Sequence, residues 1–471
     1  MTRLLFECTY VFEHPDDNSG IQRVVRNMIR QLAHIQSPVE CIPVIMKGDQ
    51  LHRVISLAPL TARPLIPQLE QLIVWFDRIY RRSRKRYEDW DSGMERLWPS
   101  GVSHRIRRVF FALCKLASLG ITLPLKGLIA LNRRVHVLER TSPLQARAGD
   151  QLVLLDSSWH ADFFPLAQRL KGEGIGIISV IYDLIPLTHP RFCDEPLVKV
   201  FEKWFDWIAS TADGYIAISN TISLEVRSEI ERRVGPVAAA RRWHDHFQLG
   251  SDLDLAPTDV GADALVSDIF AAGEPIYLMV STIEPRKNHA YLLDAFEILW
   301  RRGLAVRLCI IGKIGWKCEL LVERIRTHPQ LNKRLFMLNN VNDSGLEFAY
   351  RKSRALLFPS FVEGFGLPLV EAMQRDLPAI GSDIPVFREV GKDFMLYFDL
   401  DDPNSLALQI VAFEKDGTFP AARRLADWRW PRWREATQQF VDRVLAGTEL
   451  FSEINRKSAL RVDTANSALL P

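Results

Sequence analysis

Cysteine is scarce in this sequence and its six residues are scattered (Cys8, Cys41, Cys114, Cys193, Cys309, Cys318), with no CxxC pair and no cluster of histidines. That pattern excludes a disulfide framework and a zinc site of ordinary spacing, and points to a reducing compartment. Net charge is nearly absent as well. Sixty Lys and Arg against 57 Asp and Glu leave +3 over 471 residues, so charge gives no reason to expect a nucleic-acid partner. The opening MTRLLFECTYVFEH has a short apolar run broken by Glu7 and does not read as a signal peptide. Long apolar runs are also wanting. The best, Val109 to Leu131, covers 23 residues but carries Lys115, Lys126, Gly120 and Pro124, which oppose a membrane span. The expectation is a cytosolic protein.

What is present is an ordinary globular composition, 47% hydrophobic and 25% charged, long enough for two or three domains with large cores. Charge is uneven along the chain. Arg78 to Arg140 holds fifteen Lys or Arg against five Asp or Glu, including RRSRKR at Arg81 to Arg86. Basic flanks around a semi-apolar helical segment suit a surface resting on anionic lipid, at the inner face of a cell membrane. A helical insertion with a solvated basic face accounts for the same residues.

The stretch from Leu357 to Asp376, LFPSFVEGFGLPLVEAMQRD, organises the rest. An apolar strand ends at Pro359, a loop follows with Glu363, Gly364, Phe365 and Gly366, and an amphipathic helical run begins with Pro368 near its first turn. Amides at such a turn suit an anion or a face of hydroxyls. Two carboxylates bracket it, Glu363 in the loop and Glu371 in the helix. Eight residues of helix span roughly 12 Å, too far for a glycosidase pair acting on one bond. The pair fits the two ends of one long ligand, such as a sugar nucleotide.

Other positions converge on the same chemistry. Strand-like Leu4 to Thr9, a polar loop and a helix from Ile21 to Leu32 open a dinucleotide-type fold, with Gly20 where backbone approaches a ligand closely. Strand-like runs at Val39 to Met46, Leu152 to Leu155, Ile175 to Ile181 and Tyr215 to Ile218 follow, and Ser219 is placed to cap the next helix. Asp183 follows a strand end directly, so it points toward a cleft at the carboxyl ends of the strands. A second sheet is expected from Ile276 to Ser281, Arg307 to Ile311, Leu335 to Leu338, Ala355 to Phe358, Pro378 to Gly381 and Phe394 to Phe398. Arg286 and Lys287 sit just past its first strand, where two fixed cations oppose the charge that gathers on a departing diphosphate. The acidic run Asp399, Asp401 and Asp402 reads as a turn and helix cap.

E-G-F-G-L-P-L-V-E-A resembles the E-x7-E signature of the retaining glycosyltransferases of family 4, and Ser19-Gly20-Ile21-Gln22-Arg23 and the Arg286–Lys287 turn resemble two further motifs of that family. The resemblance implies a GT-B fold: α/β, two Rossmann-like domains facing across a cleft, here with a helical basic insertion in the first. Boundaries follow at 1–250 (insertion about 60–140), a hinge at 251–274, a donor domain at 275–425, and a Trp-rich C-terminal segment from 426 whose helix, to about Leu445, crosses back to the first domain. Residues beyond about Arg456 are expected to be loosely ordered. As the resemblance implies, Glu363 and the amides of Gly364, Phe365, Gly366 and Leu367 serve the donor sugar, Glu371 the ribose, and Arg286 and Lys287 the diphosphate. Gly20 joins the donor site and Asp183 the catalytic group. Tyr182 stands where many members have His, which leaves a sugar contact there open.

The implied reaction is metal-independent hexosyl transfer with retention, from a nucleotide sugar to a glycan or lipid-linked glycan in surface polysaccharide synthesis. GDP-mannose is the favoured donor, from resemblance to bacterial O-antigen and capsule mannosyltransferases, with a UDP-hexose next. A sugar-nucleotide epimerase of the same fold and a non-catalytic scaffold of a polysaccharide assembly complex are the alternatives.

Overall fold

A computed structural model describes residues 2–15, 17, 19–57, 72–80, 82, 120, 122–128, 131, 140–160, 163–251, 264–271 and 273–467, the last eleven by backbone alone. The chain divides into two compact units. One comprises Met1–Val11, Asn18–Ile42 and Ala146–Pro471, the other Phe12–Asp17 and Pro43–Gln145.

The larger unit contains two parallel sheets. In the first, β1 (Arg3–Glu7), β5 (Gln151–Leu154), β6 (Gly176–Ile181), β7 (Gly214–Ala217) and β8 (Trp243–His246) lie side by side in that order. All pairings among them are parallel. β1, β5, β6 and β7 are mainly apolar and buried because helices cover them, among them α1 (Gly20–Gln31), α2 (Glu195–Thr211) and α3 (Asn220–Val234). Ser219 caps α3 through its hydroxyl, which accepts from the Ile222 amide.

The second sheet runs β11 (Leu335–Leu338), β10 (Arg307–Ile311), β9 (Ile276–Val280), β12 (Ala355–Phe358), β13 (Ala379–Ser382), β14 (Leu396–Phe398). The chain adds β10 and β11 on one side of β9, then returns to place β12 on the other. Strand order therefore reverses between β9 and β12, and in open parallel sheets a ligand crevice forms at that reversal. Helices α4 (His289–Arg301), α5 (Asp343–Lys352), α6 (Leu367–Met373), α7 (Pro385–Gly391) and α8 (Pro403–Asp416) pack around it. Asp402 caps α8 by accepting from the Asn404 amide, and Asp399 accepts from the Asp401 amide. The acidic run is a turn and a cap.

The last helix, α9 (Trp433–Ser467), lies on the first sheet. Phe440 contacts Phe6 and Phe247 at centroid distances of 6.0 and 4.7 Å. Just before it, Trp430 Nε1 donates to the Leu249 carbonyl at 2.7 Å while its ring meets Phe365 at 5.7 Å. Trp430 thus ties the crossing segment to both sheets through ring packing and a hydrogen bond.

Several expectations need correction. β1 ends at Glu7 rather than Thr9, because Glu7 accepts from the Thr9 amide and starts a helical turn at Thr9–Glu13. β14 begins at Leu396, since Lys392–Phe394 form a 3-10 turn. α9 continues well past Leu445 and past Arg456, to Ser467. Of the expected hinge, residues 252–263 lie outside the described residues, and Ala264–Ala271 is a helix.

In the smaller unit, β2 (Glu40–Lys47, which enters it at Pro43), β3 (Gln50–Val54) and β4 (Thr141–Leu144) form an antiparallel ribbon. Backbone at 72–80 and 122–128 is helical. Most of the basic insertion, including RRSRKR apart from Arg82, lies outside the described residues. Among the described residues no helix is long and apolar enough to cross a membrane.

Candidate active site

The loops after β9 and β12 meet at the strand-order reversal. After β9 the chain turns through a 3-10 segment, Pro285–Lys287, and enters α4 from Asn288, whose φ is 55°. After β12 it runs through Pro359 to Gly366 into α6. Gly366 has a φ of +99°, and a side chain there would press on Phe387 and Phe358, so the turn needs glycine. The Phe361 amide donates to the Arg286 carbonyl at 2.9 Å and stitches the two loops together.

A buried charge cluster results. Glu363 accepts from Lys287 Nζ at 2.5 Å, from Arg286 Nη1 at 2.8 Å and from the Ser360 hydroxyl at 2.6 Å. Arg286 Nε also ion-pairs with Glu284 at 2.6 Å. Burial alone would raise the Glu363 carboxyl, but Arg286 and Lys287 outweigh it and bring its pKa to about 2. Burial lowers the Lys287 ammonium and Arg286 pushes it the same way, against the pull of Glu363 and Glu284. Asp183 is raised by burial, with Arg286 opposing.

Asp183 belongs to this cluster from the other sheet. It follows β6, accepts from the Ile185 amide at 3.0 Å, and feels Arg286, Glu363 and Lys287. Gly364 seats against that same strand end: a side chain there would put its first carbon 2.3 Å from the Tyr182 carbonyl and 3.1 Å from Asp183 Cβ. The Ser219 hydroxyl donates to the Gly364 carbonyl at 3.0 Å. Asp183, Arg286, Lys287, Glu363 and Gly364 are thus brought together. Tyr182 turns away, its hydroxyl donating to the Leu155 carbonyl at 2.7 Å, so its ring belongs to the core.

Glu371 lies apart from that cluster and has its own partners. It accepts from Arg23 Nη2 at 2.5 Å and from the Tyr350 hydroxyl at 2.8 Å. Gly20 faces Leu367, at 4.0 Å from where a side chain would begin. Phe365 is buried against Trp430 rather than open to a ligand. Sequence reasoning missed Arg23, Glu284, Tyr350 and Ser360. Arg23 was within reach, since it closes the Ser19 to Arg23 motif from which only Gly20 was chosen.

A second carboxylate pair sits at the carboxyl ends of two adjacent strands of the first sheet. Glu7 ends β1 and Asp156 follows β5. Glu7 accepts from the Thr9 and Asp156 amides, and Asp156 from the Val11 and Ser157 amides. Burial, then the neighbouring charge, raises Glu7 to about 8, and burial raises Asp156 to about 6. The folded chain therefore keeps a proton on Glu7 that the unfolded chain releases above its ordinary value near 4.5. The contribution of Glu7 to stability is therefore lost as pH rises from about 5 to 8, against the gain from His244 and His289, whose pKa values burial lowers to about 4 and about 3. Calorimetric melting of wild type and Glu7→Gln at the two pH values isolates it: wild type should lose stability relative to the variant as pH rises.

Two helix-covered parallel sheets, with cations and carboxylates gathered where the strand order of the second reverses, define a GT-B glycosyltransferase fold. Sucrose-phosphate synthase of Thermosynechococcus elongatus has this architecture, matching 98% of this chain and 100% of its own at a TM-score of 0.50 and 16% identity. The sequence model described as "Glycosyl transferases group 1" matches residues 267–427, the second sheet with its cluster. The O-antigen chain mannosyltransferase B of Escherichia coli is 30% identical over 292 residues, 61% of this chain and 74% of that protein. The serotype-specific mannosyltransferase WbdA of Escherichia coli is 36% identical over 298 residues, 61% of this chain. The chain spans only 36% of that longer relative. The chain belongs to the group 1 glycosyl transferases.

Proposed function

We propose that this chain transfers mannose, with retention, from GDP-mannose to a hydroxyl of a growing surface glycan or lipid-linked glycan. The observation that carries the reading is the buried cluster of Arg286, Lys287, Glu363 and Asp183 at the strand-order reversal. The names of its relatives as O-antigen mannosyltransferases support the sugar. The family match favours transfer over the epimerase alternative.

In this reading Arg286 and Lys287 hold the diphosphate, and no metal is needed to oppose its charge. The bond from C1 to the diphosphate oxygen breaks as the acceptor oxygen bonds C1 on the same face. The acceptor's proton passes to the departing phosphate oxygen. Glu363, ionised throughout the neutral range, accepts from sugar hydroxyls and keeps the two cations aimed. Glu371 takes the ribose hydroxyls.

The test is release of nucleoside diphosphate from a panel of sugar nucleotides, with and without EDTA. GDP-mannose should be turned over and chelation should not matter. Turnover of another donor with none from GDP-mannose would overturn the reading. The basic stretch 78–140, with Leu72, Val74 and Trp75 exposed beside it, is proposed to rest on anionic lipid at the cytoplasmic membrane face. Vesicles with anionic lipid should capture the protein at low salt and release it at high salt; no capture at low salt would remove this part.

A further inference from the structure

We propose that Arg23 is a latch on the donor site: it occupies the Glu371 carboxylate in the empty protein, and the nucleotide must displace it. The inference rests on the assignment of Glu371 to the donor ribose.

The Glu371 side chain is 2% exposed and both its oxygens are engaged, one by Arg23 and one by Tyr350. The two partners differ in how they are held. Tyr350 is fully buried in α5, on the same sheet as Glu371, and its ring lies 5.3 Å below the Arg375 guanidinium. Arg375 in turn donates to the Glu371 carbonyl and to Glu347. Tyr350 is part of the packed interior. Arg23 reaches across from α1, on the first sheet, and its side chain is 26% exposed. Of the two, Arg23 is the one that leaves without unpacking a core.

Burial makes the two occupants compete. A ribose diol binds a carboxylate by donating two hydroxyl protons, and each Glu371 oxygen keeps a lone pair beside its present donor. The side chain is only 2% exposed, so a diol reaches it only when Arg23, the more exposed of its two partners, moves aside. Donor binding therefore exchanges a guanidinium for a diol. Contacts that join the sheets elsewhere, such as Ser219 to Gly364 and Glu389 to the amides of Asn220 and Thr221, do not involve Glu371 and need not break.

A carboxylate that is latched in nine molecules of ten binds about tenfold more weakly than a free one. Calorimetric titration with GDP should therefore show tighter binding by Arg23→Ala than by wild type, by roughly three- to tenfold. Arg23→Lys, which keeps the charge and loses the fork, should fall between. Melting curves without nucleotide confirm that each variant is folded, and Arg23→Lys carries the test if the alanine variant is not. Equal or weaker GDP binding by a folded Arg23 variant overturns the latch and makes Arg23 a support for Glu371 or a direct donor contact. If wild type binds neither GDP nor UDP, it is the donor-site reading that fails, and the latch falls with it.

Discussion

Lys287→Met is expected to lower kcat for mannosyl transfer by about 10²- to 10³-fold, the loss of roughly 3–4 kcal/mol that follows removal of one preorganised contact to developing charge. Methionine matches the length of the lysine stem, which is buried over the Phe358 ring with the ammonium 5.1 Å from its centroid. Glu363 keeps Arg286 and Ser360 as partners, so the site should hold its shape. KM should change much less than kcat, because on the proposed mechanism the charge that Lys287 opposes grows as the glycosidic bond breaks. Steady-state kinetics of GDP release separate the two. A kcat within threefold of wild type would exclude Lys287 from the chemistry.

Glu363→Ala should cost stability as well as activity. It leaves Lys287 and one arm of Arg286 buried without their carboxylate, a situation that costs about 3–5 kcal/mol. With an unfolding entropy of about 2.1 cal/mol/K per residue, each kcal/mol lowers the melting temperature of a protein of this size by roughly 1 °C, so a drop of about 3–5 °C is expected in calorimetry. The cause can be separated from a simple cavity. Adding Lys287→Met to Glu363→Ala removes the stranded ammonium, and the double variant should melt above the single one. A double variant that melts lower still would mean that packing, not unpaired charge, sets the cost.

The second sheet could be read closely from sequence. Arg307–Ile311, Leu335–Leu338 and Ala355–Phe358 are strands at the expected residues, since each is a continuous apolar run stopped by glycine, asparagine or proline. β8 was missed because Trp-His-Asp-His offers one apolar residue in four; its strand state comes from pairing with β7 and from α9 above it. β3 and β4 were hidden for a related reason, one carrying His52 and Arg53 and the other Pro143.

The site shows the same division. Arg286, Lys287, Glu363 and Gly364 were legible because each lies within a few residues of a strand end, where local pattern fixes position. The partnership of Arg23 with Glu371 joins residues 348 apart and depends on how two sheets meet, which no local pattern carries. Tyr182 was ambiguous for the opposite reason. Its place after β6 is local and clear, but its hydroxyl is held by the Leu155 carbonyl just past the end of β5.

The central claim is that the loops after β9 and β12 hold a guanosine-diphosphate sugar, with Glu371 on its ribose. Calorimetric titration of wild type and Glu371→Ala with GDP and with UDP tests it most directly. The account predicts that wild type binds GDP more tightly than UDP and that the variant loses at least tenfold in GDP affinity, about 1.4 kcal/mol or more. Binding of neither nucleotide by wild type, or GDP binding by Glu371→Ala equal to that of wild type, would contradict it.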